Sequence, residues 1–438
     1  MGDIAKNWSE GITSATISDV GMRRSNNQDS YKVSLAGDED SWRRRGHLFV
    51  VCDGMGAHAA GELASKIAAD TMPFLYRKYR EEPASEALQK AVIETNAEVH
   101  RRGQANPDFH NMGTTCSALV VLPQGALAAH VGDSRIYRLR GGVLEQLTFD
   151  HSLVWEMRAA GHLAEDSEAV SRLPKNVITR SLGPNATVEV DLEGPFPLEP
   201  GDTFLLCSDG LTGQVPDEEL GPVLATLPPE EAVRFLVDLA NLRGGPDNIT
   251  ILVARVESNM NLHSDSSLSG GGPLSPKRRG VHPAIWAISV ALLLAAALMA
   301  LLGNGGLLPV AAVAGLAGLF GIIVAAWRTV GPPASGHSFP GERKIGHGPY
   351  TRTACNRVEQ LVQRLRNTME ELRQAAIEED WTINWPPIDR HCQAAEHAAK
   401  ARDHQKSLRE YSQAISYTMQ ELREQRRKKK SDSTIDLL

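Results

Sequence analysis

Short, largely apolar runs mark the first 257 positions. His47–Cys52, Cys116–Leu122, Ala126–Val131, Ile136–Leu139, Thr203–Cys207 and Ile249–Val256 are rich in β-branched and aliphatic residues and end in turn formers. Runs of this length predict strands. Helical periodicity predicts helices near Gly61–Tyr79, Pro83–Arg102 and Pro229–Arg243. Strands with helices between and after them suit two packed sheets covered by helices, an α+β class. Residues 150–180 break the pattern with a polar, mixed stretch.

The pattern changes after Glu257. Residues 258–282 are rich in Ser and Gly and read as a flexible linker. No Asp, Glu, Lys or Arg then occurs between Arg279 and Arg328. Two apolar segments fill this gap, 283–302 and 307–327, separated by Gly303-Asn304-Gly305-Gly306. Each is close to the ~20 residues that span a bilayer as a helix. A buried soluble hairpin is the competing reading, but neither segment has a polar face. Basic residues flank only the outer edges, at Lys277–Arg279 and at Arg328, which predicts a transmembrane hairpin with both flanks cytoplasmic. A second linker is expected at 328–355. Residues 356–426 are expected to be helical, from the stripe Val358, Leu361, Val362, Leu365, Met369, Leu372 and from a second pattern at Leu408, Tyr411, Ile415, Met419. The segment Thr382–Asp389, with two prolines, breaks the first helix. The second pattern faintly resembles a tetratricopeptide-type pair; a helical hairpin or short coiled coil reads equally well. Such helices suit a protein partner. The tail 427–438 is basic, a solvated helix end or a contact for anionic lipid.

Composition narrows the class. The chain has 438 residues, a formal net charge of -7 and 42% hydrophobic residues, with no basic excess to suggest nucleic acid. Five cysteines are widely scattered without metal-site spacing, which argues against a disulfide framework. The extension 1–11 lacks the apolar core of a leader peptide.

The chemistry sits where apolar runs end. Asp53, Asp133, Asp209 and Asp247 occur in FVVCDGMGAH, AAHVGDSRIY, FLLCSDGLT and GGPDNITILV. Each alone reads as an Asx turn. Together they form a candidate carboxylate cluster for hard divalent cations, Mg²⁺ or Mn²⁺. Two such ions share a bridging carboxylate and a bridging water when about 3.5–4 Å apart, and that water is a nucleophile at neutral pH. Asp53 is the candidate bridge, because Gly54 and Gly56 let the backbone approach an ion. Upstream, Arg24 precedes Asp29 in a polar loop; its planar fork suits phosphate, although alone it reads as a solvated surface residue.

The motifs R-x-N-N-x-D, D-G-M-G-x-H-x-x-G-E, G-T-T, G-D-S-R, D-H-S-L, I-T-R-S-L-G, S-D-G-L and D-N-I-T stand in this order over about residues 12–257. The order resembles the metal-dependent serine/threonine protein phosphatases of type 2C in their bacterial form. The resemblance implies an α-β-β-α sandwich with two ions at one end. It implies that Asp53 bridges both ions, Gly54 lends its carbonyl, Asp209 and Asp247 hold the second ion, and Asp133 binds a third. Arg24 would grip the substrate phosphate, Asp29 would bond to water on the ions, and 150–180 would be the flap. The implied partners are phosphorylated proteins and a cognate serine/threonine kinase.

Three positions depart from the family pattern: Gln28 in place of Glu, Met55 in place of the His of eukaryotic members, and Ala57 in place of Gly. His58 reads as structural or solvent-facing. The intact Arg24, Asp53, Gly54, Asp209 and Asp247 favour an active membrane-anchored enzyme over a phosphoprotein-binding receptor or scaffold. A small-molecule phosphatase stays open from motifs alone.

Overall fold

The computed structural model describes residues 11–56, 59–162, 173–174, 177–257 and 345–435. Two antiparallel sheets stack face to face. The first has the order β1 (Ile12–Asp19), β11 (Ile249–Val256), β10 (Thr203–Cys207), β7 (Arg135–Arg140), β8 (Val143–Gln146), β12 (Thr351–Ala354). The second runs β2 (Asp29–Ser34), β3 (His47–Met55), β5 (Cys116–Leu122), β6 (Gly125–Val131), β9 (Asp191–Phe196), with β4 (Gly113–Thr114) paired to the end of β3.

The largely apolar runs have a simple cause. Successive side chains on a strand point to opposite faces, and here both faces of each sheet are covered. On β3, Leu48, Val50 and Cys52 face the outer helices while Phe49 and Val51 face the other sheet. On β11, Ile249, Ile251 and Val253 face helices, whereas Leu252, Ala254 and Val256 face the sandwich interior.

Among the described residues of the first 257, the α-helices in chain order are α1 (Glu39–Arg45), α2 (Ala60–Lys78), α3 (Ala84–Ala105), α4 (Leu153–Ala159), α5 (Asp209–Thr212), α6 (Asp217–Thr226) and α7 (Pro229–Leu242). The pair α2 and α3 covers the second sheet; α6 and α7 cover the first. The flap region begins with α4; residues 163–172 and 175–176 within it lie outside the described residues.

The C-terminal region forms α8 (Val358–Glu378), α9 (Trp385–Lys400) and α10 (His404–Ile435). The first helix falls where the sequence placed it, but the break spans 379–384: Pro386 and Pro387 of the expected breaker Thr382–Asp389 sit in the first turn of α9, where a missing N–H costs nothing. The backbone of the basic tail continues α10 as far as Ile435. These helices share one apolar core with α6, α7 and the first sheet: Leu361, Leu365, Tyr411 and Ile415 pack in the same cluster as Leu220, Phe235 and Leu236. Arg364 and Arg243 both pair with buried Glu219 on α6, at 2.8 and 2.7 Å. Arg423 pairs with buried Asp238 on α7 at 3.0 Å.

The expectation of a linker over 328–355 needs correction for 345–355, while 328–344 lie outside the described residues. Residues 351–354 are strand β12, which lengthens the first sheet by pairing with β8, and Ile345 bridges Gly194. The segment is short and polar, and its order comes from partners about two hundred positions earlier. The expected spans 283–302 and 307–327, the linker 258–282 and residues 1–10 lie outside the described residues. Among the described residues no helix is long and apolar enough to cross a membrane.

Candidate functional site

The sandwich brings its chemistry to one end. In register, Asp29 faces Asp53 across β2 and β3, Cys116 faces Val131, and Cys207 faces both Arg135 and Ile251. The residues just beyond these pairs, Gly132–Ser134, Ser208–Asp209 and Asp247–Asn248, therefore leave the strands at the same edge. Four loops far apart in sequence carry the predicted residues to one place.

Local hydrogen bonds fix each turn. The Asp53 amide donates to Thr115 Oγ1 at 2.8 Å, and its carbonyl accepts from Thr115 N and Thr114 Oγ1 at 2.8 and 2.9 Å. Thr115 Oγ1 also meets Ser134 Oγ at 2.7 Å, which joins the Asp53 turn to the Asp133 turn. Asn248 takes the Gln28 amide on Oδ1 at 2.8 Å and donates from Nδ2 to Val20 O and Asn26 O at 2.9 and 3.0 Å. That amide thus shapes the loop carrying Arg24. Gly54 lies so close to the start of α2 that a Cβ there would stand 2.1 Å from Gly61 O and 2.5 Å from Gln28 O. Only glycine fits. Thr115, Ser134, Ser208 and Asn248 belong to the motif stretches, yet reading the chain assigned them no role. Their partners are distant in sequence.

The carboxyls feel one another. Burial pushes Asp29 up to about 7, against hydrogen bonds from Ser208 and Thr250 and with Asp209 and Asp247 adding to the rise. Burial, then Asp29, Asp209, Asp133 and Asp247, push Asp53 well above the usual carboxylate range. Asp133 is pushed up to about 8 by burial, Asp209 and Asp150. Asp209 rises through burial and the Asp247 charge, while a side-chain hydrogen bond with Asp53 opposes the rise. Arg24 lies against this cluster, its Nη2 donating to Asp247 Oδ2 at 2.7 Å.

Among the described residues, no three acidic, His or Cys side chains converge on one point in this arrangement: Asp247 is turned to Arg24 and Asp29 to Ser208. The donor chemistry nonetheless fits hard cations. All candidate donors are oxygen, the carboxyls repel one another, and Asp29 Oδ1 and Asp133 Oδ1 are buried without a hydrogen-bond partner. Buried acceptors in that state are costly unless a cation or water meets them.

A family model described as protein phosphatase 2C matches residues 22–241, half of the chain. The chain is a serine/threonine phosphatase of the protein phosphatase 2C family. A putative protein phosphatase 2C-type protein of Streptococcus pyogenes is 38% identical over 247 residues, 55% of this chain and 96% of the relative. Protein phosphatase PhpP of Streptococcus pneumoniae is 36% identical, over 54% of this chain and 94% of its own. The crystal structure of the Mycobacterium tuberculosis serine/threonine phosphatase PstP/Ppp superposes with a TM-score of 0.50 at 34% identity, covering 56% of this chain and 99% of that one. These phosphatases are matched almost end to end by little more than half of this chain. The docked C-terminal helices are an addition to the protein phosphatase 2C body.

Proposed function

We propose that this phosphatase hydrolyses phosphoserine and phosphothreonine in proteins, using two divalent cations held by Asp53, the Gly54 carbonyl, Asp209 and Asp247, with a third at Asp133. The observation that carries this reading is the unpartnered, buried Asp29 Oδ1 and Asp133 Oδ1 among carboxyls that repel each other. Cations bound there would supply Lewis acidity toward the phosphate and an activated water. The chain's own groups do the rest. The Arg24 fork leaves Asp247 and takes two phosphate oxygens. Asp29, held at Oδ2 by Ser208, keeps Oδ1 as an acceptor that orients water. A hydrogen bond with Cys116 and burial hold the Cys52 thiol well above its usual range, which disfavours it as a nucleophile; on this reading water attacks the phosphorus directly and no phosphoenzyme forms. The test is phosphate release from phosphothreonine and phosphoserine peptides by the full chain, with Mn²⁺, with Mg²⁺ and with chelator. Release without any divalent ion, or a trapped phosphoprotein, overturns the reading.

We further propose that 283–302 and 307–327 anchor the enzyme in a membrane, with the catalytic unit and the C-terminal helices both cytoplasmic and substrates drawn from proteins near that surface. Support comes from the charge-free stretch between Arg279 and Arg328. It comes also from the flanks: residues up to 262 and from 343 onward belong to one compact unit. An apolar stretch that leaves and re-enters one folded body crosses a bilayer an even number of times. Protease protection with tags at both termini tests this. A tag digested from the outer face overturns it.

A further inference from the structure

Residues 345–350 run along β9 and end at the base of the flap. Their anchor is Glu193, a buried carboxylate on β9. It accepts hydrogen bonds from Gly348 N at 2.9 Å, His347 N at 3.3 Å and Tyr350 Oη at 2.5 Å. Gly346 has φ +78°, and a Cβ on it would stand 2.1 Å from Glu193 Oε2. The strap is therefore built around that carboxylate.

Two routes lead from the strap into the site. The first runs along β9. Two residues before Glu193, Asp191 accepts from His151 Nε2 at 2.9 Å and from Arg180 Nη1 at 2.6 Å. His151 Nδ1 accepts the Gly132 amide at 2.9 Å, which leaves the ring proton on Nε2 for Asp191. The His151 amide in turn donates to Gly132 O at 2.7 Å. Gly132 is the residue before Asp133. The second route is aromatic. The Tyr350 ring meets Phe149 edge-on, with centroids 5.5 Å apart, and Phe149 meets Trp155 of α4 at 5.4 Å and His151 at 6.2 Å. Both routes end on His151 and the Gly132–Asp133 turn.

We propose that Tyr350 is a positioning residue for the reaction: through Glu193 and Phe149 it holds His151, and His151 holds the turn carrying Asp133. The strap leads into β12 and the docked helix α8, so it couples the C-terminal addition to catalysis. The strap's contacts with Glu193 and Phe149 are not available to a chain that stops at residue 257. The kinetic part rests on the proposed role of Asp133; the conformational part does not.

Full-length Tyr350→Ala and Tyr350→Phe are compared with the wild type by amide hydrogen exchange and by phosphopeptide kinetics. Tyr350→Ala is expected to raise exchange at least tenfold across 148–160, with 116–122 and 249–256 unchanged. Its kcat falls about fivefold or more, and KM stays within about twofold, because Arg24 is untouched. Tyr350→Phe keeps the ring against Phe149 and recovers most of both. Glu193→Gln, which keeps the fold's volume, is expected to lie between them. Unchanged exchange at 148–160 in Tyr350→Ala overturns the proposal. So does faster exchange with kcat unchanged, which would make the strap structural only. A wild type inactive with every divalent ion, alongside the expected exchange pattern, counts against the phosphatase mechanism and leaves the strap's hold on the flap standing.

Discussion

Ser208 donates its hydroxyl hydrogen to Asp29 Oδ2 at 2.7 Å, although 179 positions separate them. The Ser208 hydroxyl oxygen itself accepts the Thr250 amide at 2.9 Å. Asp29 opens β2 in the second sheet; Ser208 and Thr250 belong to the first. One hydroxyl thus ties the two sheets together where the carboxyls gather. Ser208→Ala leaves two buried polar groups without this partner, a cost of about 1–3 kcal/mol each. Activity should fall about 10- to 100-fold, the range for groups that orient metal ligands. Urea unfolding and kcat check both; a mutant of wild-type activity would remove Asp29 from the water-orienting role.

Asp53→Asn and Asp209→Asn should abolish turnover while stabilising the chelated protein. Both carboxyls are raised by burial and by neighbouring charge, so each ionised group is a burden on the fold when no cation is bound. With chelator, melting temperatures above the wild type are expected, at about 2–4 °C for each kcal/mol relieved. Lower melting temperatures would show that these carboxyls hold the fold together.

Arg24→Ala should act mainly on KM. The guanidinium is exposed and pairs with Asp247 at the surface, so the fold loses little. A hydrogen bond to a charged group contributes about 1.5–3 kcal/mol, which corresponds to a KM increase of about tenfold or more. An unchanged KM would place the phosphate anchor elsewhere.

The docking of the C-terminal helices should depend on pH through Asp238. Burial pushes this carboxyl up to about 6 from an ordinary 3.8, against the pull of Arg423 and a hydrogen bond from Ser416. A folded value above the unfolded one means that the contribution is fully present below about pH 3.8 and is lost as pH rises through about 6. Asp238→Asn does not titrate. Its stability relative to the wild type should therefore climb between pH 4 and pH 6 and then level off. Urea midpoints of the two proteins across this range decide the matter; a constant difference would refute the assignment.

The sequence by itself determined six of the strands, β3, β5, β6, β7, β10 and β11, and the four aspartates; the more polar β1, β2, β8 and β9 were not legible in it. Leu48 to Cys52 and Ile249 to Val256 announce themselves because both faces of each strand are covered, so nearly every position is apolar. Asp53, Asp209 and Asp247 stand out because the turn after a buried strand needs small or polar residues locally. Tertiary structure alone decided what holds them. Ser208 serves Asp29, Asn248 shapes the Arg24 loop, and Arg24 rests on Asp247, a partner 223 positions away. The strap was read as a linker because its order is borrowed: Glu193 supplies the acceptor and β8 the edge, and nothing in residues 345–354 signals either. The C-terminal helices show the same division. Periodicity fixed α8, since an apolar stripe at helical spacing is a property of the segment. Which surface that stripe would cover was settled by the exposed face of α6 and α7, with Glu219 and Asp238 waiting for arginines from the other end of the chain.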